Sequence, residues 1–339
     1  MSKSQHFSIT CDGIKLHCKL DLPAGSCVPE SLTADGRKIV PGGSTPASGA
    51  SGAGVSGGGA SGGSTPSSGA SGAGVAGGST PASGASGAGV SGGGASVGSA
   101  SGGGMDAGAP ARIPLVIIVP GLTGDMEESQ ITASAEALSA NGYASLCVEL
   151  YGHGLSEGPF FDHTLFHWTL ELMQVIDYAR KLDFVSRLYL CGHSQGGVAA
   201  VLAAGIKPDV LSGLILLAPA MGIKDAVRNG GFPERFFDPD HIPDETKVFD
   251  DDRISGNYYR VNRLLPLDDA IALYGDRPVL VVHATTDEYV PYRYAVRTAG
   301  AYRNAELFTV PDDDHCFTAH MDLVASKMIG FLNRLEGRS

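Results

Sequence analysis

The pattern of apolar and polar positions predicts strands and helices that alternate along most of the chain. Runs of β-prone apolar residues predict strands at 113–119, 144–150, 184–191, 211–218, 278–283 and 305–310. Helical periodicity predicts helices at 127–140, 162–182, 198–205, 291–302 and 317–335. This alternation is typical of an α/β fold with a mostly parallel sheet covered on both faces, where chemistry is placed at the carboxyl ends of the strands.

Two apolar runs at the start of the chain predict an antiparallel pair of strands. They occupy 7–10 and 14–22 and flank Asp12 and Gly13, and Asp-Gly is a strong signal for a hairpin turn. We therefore predict that residues 1–25 form an N-terminal β-hairpin of the α/β domain, at one edge of the sheet.

A low-complexity segment rich in Gly, Ser and Ala interrupts the pattern at 26–111. Residues 42–104 include no charged or aromatic residue, and the sequence of 42–61 recurs at 77–96. Such a composition does not bury enough apolar surface to offset its conformational entropy. We predict a disordered repeat insertion between two strands, with 112–339 forming the rest of the domain.

The segment at 222–276 is too long for a simple crossover between two strands. Its aromatic residues stand among prolines and acidic residues, which favours a cap over the strand ends. We predict that Phe249, Tyr258 and Tyr259 line a substrate pocket beneath this cap. The alternative for each of them, packing the cap onto the body of the domain, stays open.

Charge and cysteine usage exclude some classes of partner. A net charge of −12 argues against nucleic acid. No apolar run at the start resembles a secretory signal, and none approaches a membrane span. The six cysteines have no C-x-x-C spacing, which favours reduced thiols over zinc ligands or disulfides. We expect a cytoplasmic protein that has no cofactor, metal or membrane partner and takes a small-molecule substrate; a homodimer is left open.

The turn around Ser194 predicts a nucleophile. The strand at 184–191 runs into Gly192-His193-Ser194-Gln195-Gly196, and the helix pattern at 198–205 follows. A serine at such a sharp strand-to-helix turn is exposed at the edge of the sheet, and the flanking glycines remove side chains that would collide there. An ordinary strand–turn–helix connection is the alternative.

A serine nucleophile needs a histidine base and a carboxylate that orients it. In the order Ser, Asp, His, both partners should follow later strands, and Asp287 and His315 do so. Glu288 is expected to point away, and His283 to be buried in its strand. His320 is expected inside the last helix, and residues 312–314 are expected to be solvated by water, although one of these aspartates could substitute for Asp287.

An oxyanion hole needs two backbone N–H donors where negative charge develops. The residue after the nucleophile, Gln195, is expected to supply one of them. Leu122, on the loop after the strand at 113–119, is expected to supply the other, and Gly121 gives that loop its freedom. A plain strand-exit turn is the alternative for this loop.

These residues together resemble the cinnamoyl (feruloyl) esterases of the α/β-hydrolase fold. The resemblance covers the chain outside 24–111 and is carried by Cys11-Asp-Gly-Ile-Lys-Leu, Tyr151-Gly-His-Gly, Asp162-His-Thr-Leu-Phe, Gly192-His-Ser-Gln-Gly-Gly, Phe237-Asp-Pro, Ile242-Pro-Asp-Glu, Gly256-Asn-Tyr, Asp287-Glu-Tyr-Val-Pro and His315-Cys. Two positions depart from that family, which usually has His-Gly-Phe where this chain has Pro120-Gly121-Leu122, and His-Gly where it has His283-Ala284.

The resemblance implies a serine esterase that cleaves hydroxycinnamate esters. It assigns Ser194, Asp287 and His315 to the catalytic triad and Leu122 and Gln195 to the oxyanion hole. A lipase, a monoacylglycerol-type esterase or a general carboxylesterase is the nearest alternative, since these enzymes share the turn and the triad. An alternative of another class is a non-catalytic binding protein with the same fold.

Overall fold

The computed structural model describes residues 3–26, 112–231, 236–249 and 252–338. The repeat insertion predicted at 26–111 lies outside these residues from position 27 onward, so its predicted disorder stays a prediction. The statements below concern only the described residues.

A mixed sheet forms the centre of the domain. The strands are β1 Lys3–Cys11, β2 Ile14–Leu22, β3 Ile113–Val119, β4 Ala144–Val148, β5 Val185–His193, β6 Leu211–Leu217, β7 Glu245–Val248, β8 Asp252–Ser255, β9 Val279–Ala284 and β10 Ala305–Val310. The order in the central sheet is β1-β2-β4-β3-β5-β6-β9-β10, and β7 pairs with β8 in a separate antiparallel ribbon. From β4 to β10 the pairing is parallel, and the β1–β2 hairpin is antiparallel at one edge. The predicted α/β fold and its antiparallel edge are confirmed.

Helices cover both faces of this sheet because its strands are apolar on both sides. The helices are α1 Ser129–Ala140, α2 Leu165–Ala179, α3 Ser194–Ile206, α4 Ile223–Arg228, α5 Gly256–Asn262, α6 Leu267–Tyr274, α7 Arg293–Ala301 and α8 Met321–Glu336. Along β3, Leu115, Ile117 and Val119 belong to the core on the α2–α3 face. Val116 and Ile118 belong to the core on the α1–α8 face. The pleat thus sends successive side chains into two separate cores.

Several helices begin a few residues from their predicted starts, and two of these shifts have a clear local reason. The helix predicted at 162–182 begins at Leu165 because the Thr164 hydroxyl accepts a hydrogen bond from the His167 N–H, which caps it. The helix predicted at 198–205 begins at Ser194, directly at the end of β5. The positive helix end therefore starts at the proposed nucleophile.

The cap predicted at 222–276 folds as short elements between β6 and β9. It contains α4, the β7–β8 ribbon, α5 and α6. Within the described ranges, no helix combines the length and apolar character that crossing a bilayer requires.

Candidate active site

Ser194 stands at a strained turn between β5 and α3. Its φ is +52°, in the left-handed region that a residue with a side chain rarely adopts. A Cβ on Gly192 would lie 2.4 Å from the Gly196 carbonyl oxygen, and a Cβ on Gly196 would lie 2.2 Å from that of Pro120. Both glycines are therefore required, because no side chain fits where the turn packs against the end of β3. Ser194 is partly exposed, while Gly192 and Gln195 beside it are buried.

The loop after β3 lies against the nucleophile. A Cβ on Gly121 would lie 3.0 Å from the Ser194 Cβ, so this glycine lets the loop approach the serine closely. Leu122, the next residue, lines the same cavity as Ser194 and Gln195. Gln195 is in the first turn of α3, where backbone N–H groups have no partner inside the helix and the helix dipole favours negative charge. The two predicted oxyanion donors thus flank the serine.

His315 and Asp287 are in contact, as their positions after β10 and β9 predict. The Nδ1 of His315 lies 2.7 Å from Oδ2 of Asp287, and both side chains are almost fully buried. The other carboxylate oxygen, Oδ1, accepts hydrogen bonds from the N–H groups of Tyr289 at 2.9 Å and Val290 at 2.8 Å. A neutral His315 that donates from Nδ1 has its Nε2 lone pair free to accept a proton.

The electrostatics around Asp287 keep it ionised. Burial opposes the charge, but hydrogen bonds from His283 and His315 outweigh that effect and hold the pKa of Asp287 well below its usual range. His283 is buried in β9, as predicted, and its Nε2 lies 2.8 Å from the Val290 carbonyl oxygen.

Behind the serine, His193 stays neutral. Burial, together with the nearby His315, lowers the pKa of His193 to about 3. Its Nε2 lies 3.1 Å from the His315 carbonyl oxygen and its Nδ1 lies 3.4 Å from Nε2 of Gln130. His193 therefore connects α1 to the backbone of the loop after β10 that carries His315 (the histidine loop).

The carboxylates next to the histidine have other partners. Glu288 accepts a long hydrogen bond of 3.4 Å from the His315 backbone N–H, so it contacts the loop. The expectation that residues 312–314 are solvated is wrong for Asp313, which is buried and accepts hydrogen bonds from the Ala319 N–H and from His320. Asp313 is buried because it organises the turn that leads into α8. His320 was expected inside the last helix, but it directly precedes α8.

A cavity of about 550 Å³ opens at the carboxyl ends of the strands, above Ser194. The cavity is lined by the loop after β3 (the oxyanion loop, residues 120–124), by the turn at Ser194 (the serine turn), by the cap and by the loops after β9 and β10. Its lining includes Leu122, Ile223, Phe236, Phe249, Tyr289, Tyr294 and Cys316. The size falls within the usual range of small-molecule sites. Phe249 therefore lies where it was predicted.

Tyr258 and Tyr259 do not line this cavity, which corrects their predicted place in the substrate pocket. Both are fully buried in the core on the α2–α3 face. They occupy the inward side of α5, where Tyr258 packs on the ring of His163 and Tyr259 on the ring of Phe237. For these two tyrosines the alternative is confirmed, since they pack the cap onto the body of the domain.

Glu128 is a lining residue that the sequence pattern did not single out. Burial raises the pKa of its carboxyl to about 7, and the charge of Asp125 adds to the rise. The Oε2 atom accepts a hydrogen bond from Gln130 at 3.0 Å. The only signal in the sequence was its closeness to the oxyanion loop, because glutamates at the start of a helix, here Glu127 and Glu128, look like surface residues.

The described residues contain no group of three His, Cys, Asp or Glu side chains that could hold a metal ion. The five cysteines in the described ranges, Cys11, Cys18, Cys147, Cys191 and Cys316, are free thiols. Burial raises the pKa of the Cys316 thiol to about 12, which makes it a poor nucleophile although it lines the cavity.

Comparison with known proteins points to hydrolases. Residues 111–237 match the family model described as serine aminopeptidase, S33, and residues 258–336 match the one described as TAP-like protein. The solved structure of Est1E from Butyrivibrio proteoclasticus with ferulic acid bound is similar at a TM-score of 0.71 and 32% identity, over 98% of this chain and 99% of that one.

Two curated proteins are also similar in sequence. A protein described as a putative esterase/lipase from Haemophilus influenzae is 25% identical over 250 residues, which are 65% of this chain and 84% of that protein. The human monoglyceride lipase is 35% identical over 69 residues, which are 20% of this chain and 23% of that protein.

Proposed function

The chain is a carboxylic ester hydrolase of the α/β-hydrolase family, and we propose that it cleaves esters of hydroxycinnamic acids through an acyl-enzyme on Ser194. The observation that carries this proposal is the likeness to Est1E, whose structure has ferulic acid bound and matches this chain over nearly its whole length. Family membership as an esterase excludes the alternative of a non-catalytic binding protein.

The cavity supports an aromatic acyl group. Phe249 and Tyr289 meet at a ring-centroid distance of 5.9 Å, and the Tyr289 ring lies 5.5 Å from that of His315. These rings form an apolar wall that begins beside the proposed base. A planar phenyl ring conjugated to an ester carbonyl can pack against such a wall with its carbonyl directed toward Ser194.

In the proposed first step, the Ser194 hydroxyl oxygen attacks the ester carbonyl carbon while His315 accepts the hydroxyl proton on Nε2. Asp287 holds the His315 ring in the required tautomer and stabilises the imidazolium. The carbonyl oxygen becomes an oxyanion, which the N–H groups of Leu122 and Gln195 bind; one such donor contributes about 10²–10³ in kcat. The C–O bond to the alcohol then breaks and His315 protonates the departing oxygen.

In the second step, water replaces the alcohol. His315 takes a proton from the water as its oxygen attacks the acyl carbon, and the same donors bind the new oxyanion. Collapse of this intermediate breaks the bond to Ser194, which regains its proton from His315, and the free acid leaves. Atoms and charges balance without any further group.

A panel of esters tests the proposal. We expect kcat/KM for methyl ferulate and methyl p-coumarate to exceed that for 4-nitrophenyl octanoate and for a monoacylglycerol. Ser194→Ala should abolish all of these activities, since loss of a triad serine costs on the order of 10⁶ in kcat. A preference for the aliphatic esters would contradict the hydroxycinnamate assignment, and residual activity of Ser194→Ala above a few per cent would contradict the nucleophile.

Acylglycerol hydrolysis is the second candidate. It is favoured by the similarity to a putative esterase/lipase and to a short stretch of monoglyceride lipase. The monoacylglycerol in the same panel decides between the two.

A further inference from the structure

We propose that Tyr258, on the cap helix α5, is a positioning residue for the oxyanion hole: it holds the side chain of Gln195 and thereby the backbone N–H that binds the oxyanion. The inference rests on the proposed function, because it takes Gln195 as an oxyanion donor. It gives a role in the reaction to a residue that does not touch the cavity.

The contact is short and completely buried. The Tyr258 hydroxyl donates to Oε1 of Gln195 at 2.5 Å. Tyr258 is 0% exposed and Gln195 is 1% exposed, so water does not compete for this hydrogen bond. The other end of the carboxamide, Nε2 of Gln195, is buried and has no hydrogen-bond partner among the described residues. Within the described ranges, the hydrogen bond from Tyr258 is thus the one that orients the Gln195 side chain.

Tyr258 itself cannot move easily. Its ring lies 5.0 Å from the tilted ring of His163, and it meets the ring of Tyr259 edge-on at 5.6 Å. The whole residue is fully buried in the core on the α2–α3 face. A buried ring that is packed on two sides provides a fixed point for its partner.

The tether matters because of where Gln195 lies in the helix. It follows Ser194, whose φ is +52°, and it belongs to the first turn of α3, where N–H groups are not held by helical hydrogen bonds. An oxyanion donor must lie about 2.7–3.1 Å from the developing charge. If the tyrosine hydroxyl is removed, both ends of the carboxamide are unpaired in a buried site, and the first turn can relieve that cost by shifting.

The neighbouring residue supplies a matched control. Tyr259 is also 0% exposed and belongs to the same helix and the same core. The hydrogen bond to Oε1 of Gln195 comes from Tyr258 and not from Tyr259. Tyr259→Phe therefore removes a buried hydroxyl from α5 without touching Gln195.

The experiment compares Tyr258→Phe with Tyr259→Phe in the full chain. For both methyl ferulate and 4-nitrophenyl butyrate, we expect Tyr258→Phe to lower kcat about tenfold, less than the loss of a whole donor, with KM within about twofold. A trifluoromethyl ketone, which forms an oxyanion on the serine, should bind more weakly by the same factor. Tyr259→Phe should retain kcat and inhibitor affinity.

A double-mutant cycle locates the effect in the hydrogen bond. In a Gln195→Met background, which keeps the size of the side chain and removes its amide, Tyr258→Phe should change kcat by less than about twofold. Gln195→Met alone should lower kcat with KM unchanged, and this arm remains decisive if Tyr258→Phe does not fold.

Three results would overturn the proposal. They are an unchanged kcat in Tyr258→Phe or in Gln195→Met, equal losses in Tyr258→Phe and Tyr259→Phe, and a full loss from Tyr258→Phe in the Gln195→Met background. Each of them leaves the triad assignment intact if Ser194→Ala is inactive. An active Ser194→Ala would instead remove the proposed function itself.

Discussion

His283 and His315 approach the same oxygen atom of Asp287 from two sides. The Nε2 of His283 lies 3.2 Å from Oδ2, and the Nδ1 of His315 lies 2.7 Å from it. Asp287 therefore has a fixed rotamer before any substrate binds. The strand residue that sequence reasoning set aside as merely buried is a direct neighbour of the proposed catalytic carboxylate.

The first prediction is that Asp287→Asn lowers kcat by roughly 10⁴, because an amide no longer favours the tautomer of His315 with the proton on Nδ1. Steady-state kinetics with methyl ferulate measure the loss. Glu288→Gln is the control, since in the described part of the chain Glu288 hydrogen-bonds the backbone N–H of His315 and not its ring. A near-normal rate in Asp287→Asn together with a large loss in Glu288→Gln would transfer the role to Glu288.

The second prediction concerns charge selectivity. The pKa of Glu128 is raised to about 7, so this lining carboxyl is neutral below that pH and negative above it. The kcat/KM for 5-O-caffeoylquinate, whose alcohol part carries a carboxylate, should therefore fall relative to methyl caffeate as the pH rises from 6 to 8.

Glu128→Gln should remove this difference between the two esters. Glu127→Gln should keep it, because Glu127 is largely exposed and pairs with Lys19 outside the cavity. A ratio of the two kcat/KM values that does not change with pH in the wild type would show that Glu128 does not face the bound alcohol.

The third prediction concerns stability and pH. Burial, together with neighbouring His167, lowers the pKa of His163 to about 4 from 6.5. Between pH 6.5 and 4, His163 binds a proton in the unfolded chain but stays neutral in the folded chain. The free energy of unfolding therefore decreases as the pH falls. Between pH 7 and 5 the contribution of His163 is about 2 kcal/mol.

Thermal unfolding of wild type and His163→Gln tests this. The decrease in Tm from pH 7 to 5 should be smaller in the variant, which cannot take up the proton. Glu128 and Glu171, both with pKa values raised by burial to about 7, shift stability in the opposite direction. They are present in both proteins and cancel in the comparison. Equal pH slopes would contradict the prediction.

The fourth prediction concerns the insertion at 26–111. Asp21 of β2 and Val116 of β3 pair with the same residue of β4, Ser145. Two strand spacings put them about 10 Å apart. Replacing residues 27–111 with six Gly and Ser residues should therefore leave kcat unchanged and raise stability slightly, by about 0.6 kcal/mol for each halving of the loop. A folded variant that loses most of its activity would show that the repeat serves the active site.

Local patterns predicted the fold and the positions of the proposed triad well. Ser194 is recognisable because a strand, a glycine-flanked turn and a helix follow one another within a few residues. Asp287 and His315 are recognisable because each follows a strand whose carboxyl end meets the same edge of the sheet. These features depend on neighbours in sequence or on the topology of parallel strands.

The features that the sequence did not predict depend on contacts between distant segments. Tyr258 and Gln195 are 63 positions apart, and nothing in either neighbourhood indicates their hydrogen bond. The place of Glu128 in the cavity depends on how α1 meets the oxyanion loop. Aromatic residues in a cap look alike in sequence, so only packing separates Phe249, on the cavity, from Tyr258 in the core.

The hydrogen bond between Tyr258 and Gln195 also limits how substrate enters. Because α5 is joined to the first turn of α3 through buried side chains, this part of the cap cannot swing away from the body like a hinged lid without breaking the contact. Phe236 and Tyr289 both line the cavity and are exposed, so they lie where the cavity meets solvent. At α5, substrate selection therefore depends on the shape of a fixed cavity and not on closure of this helix around the ester.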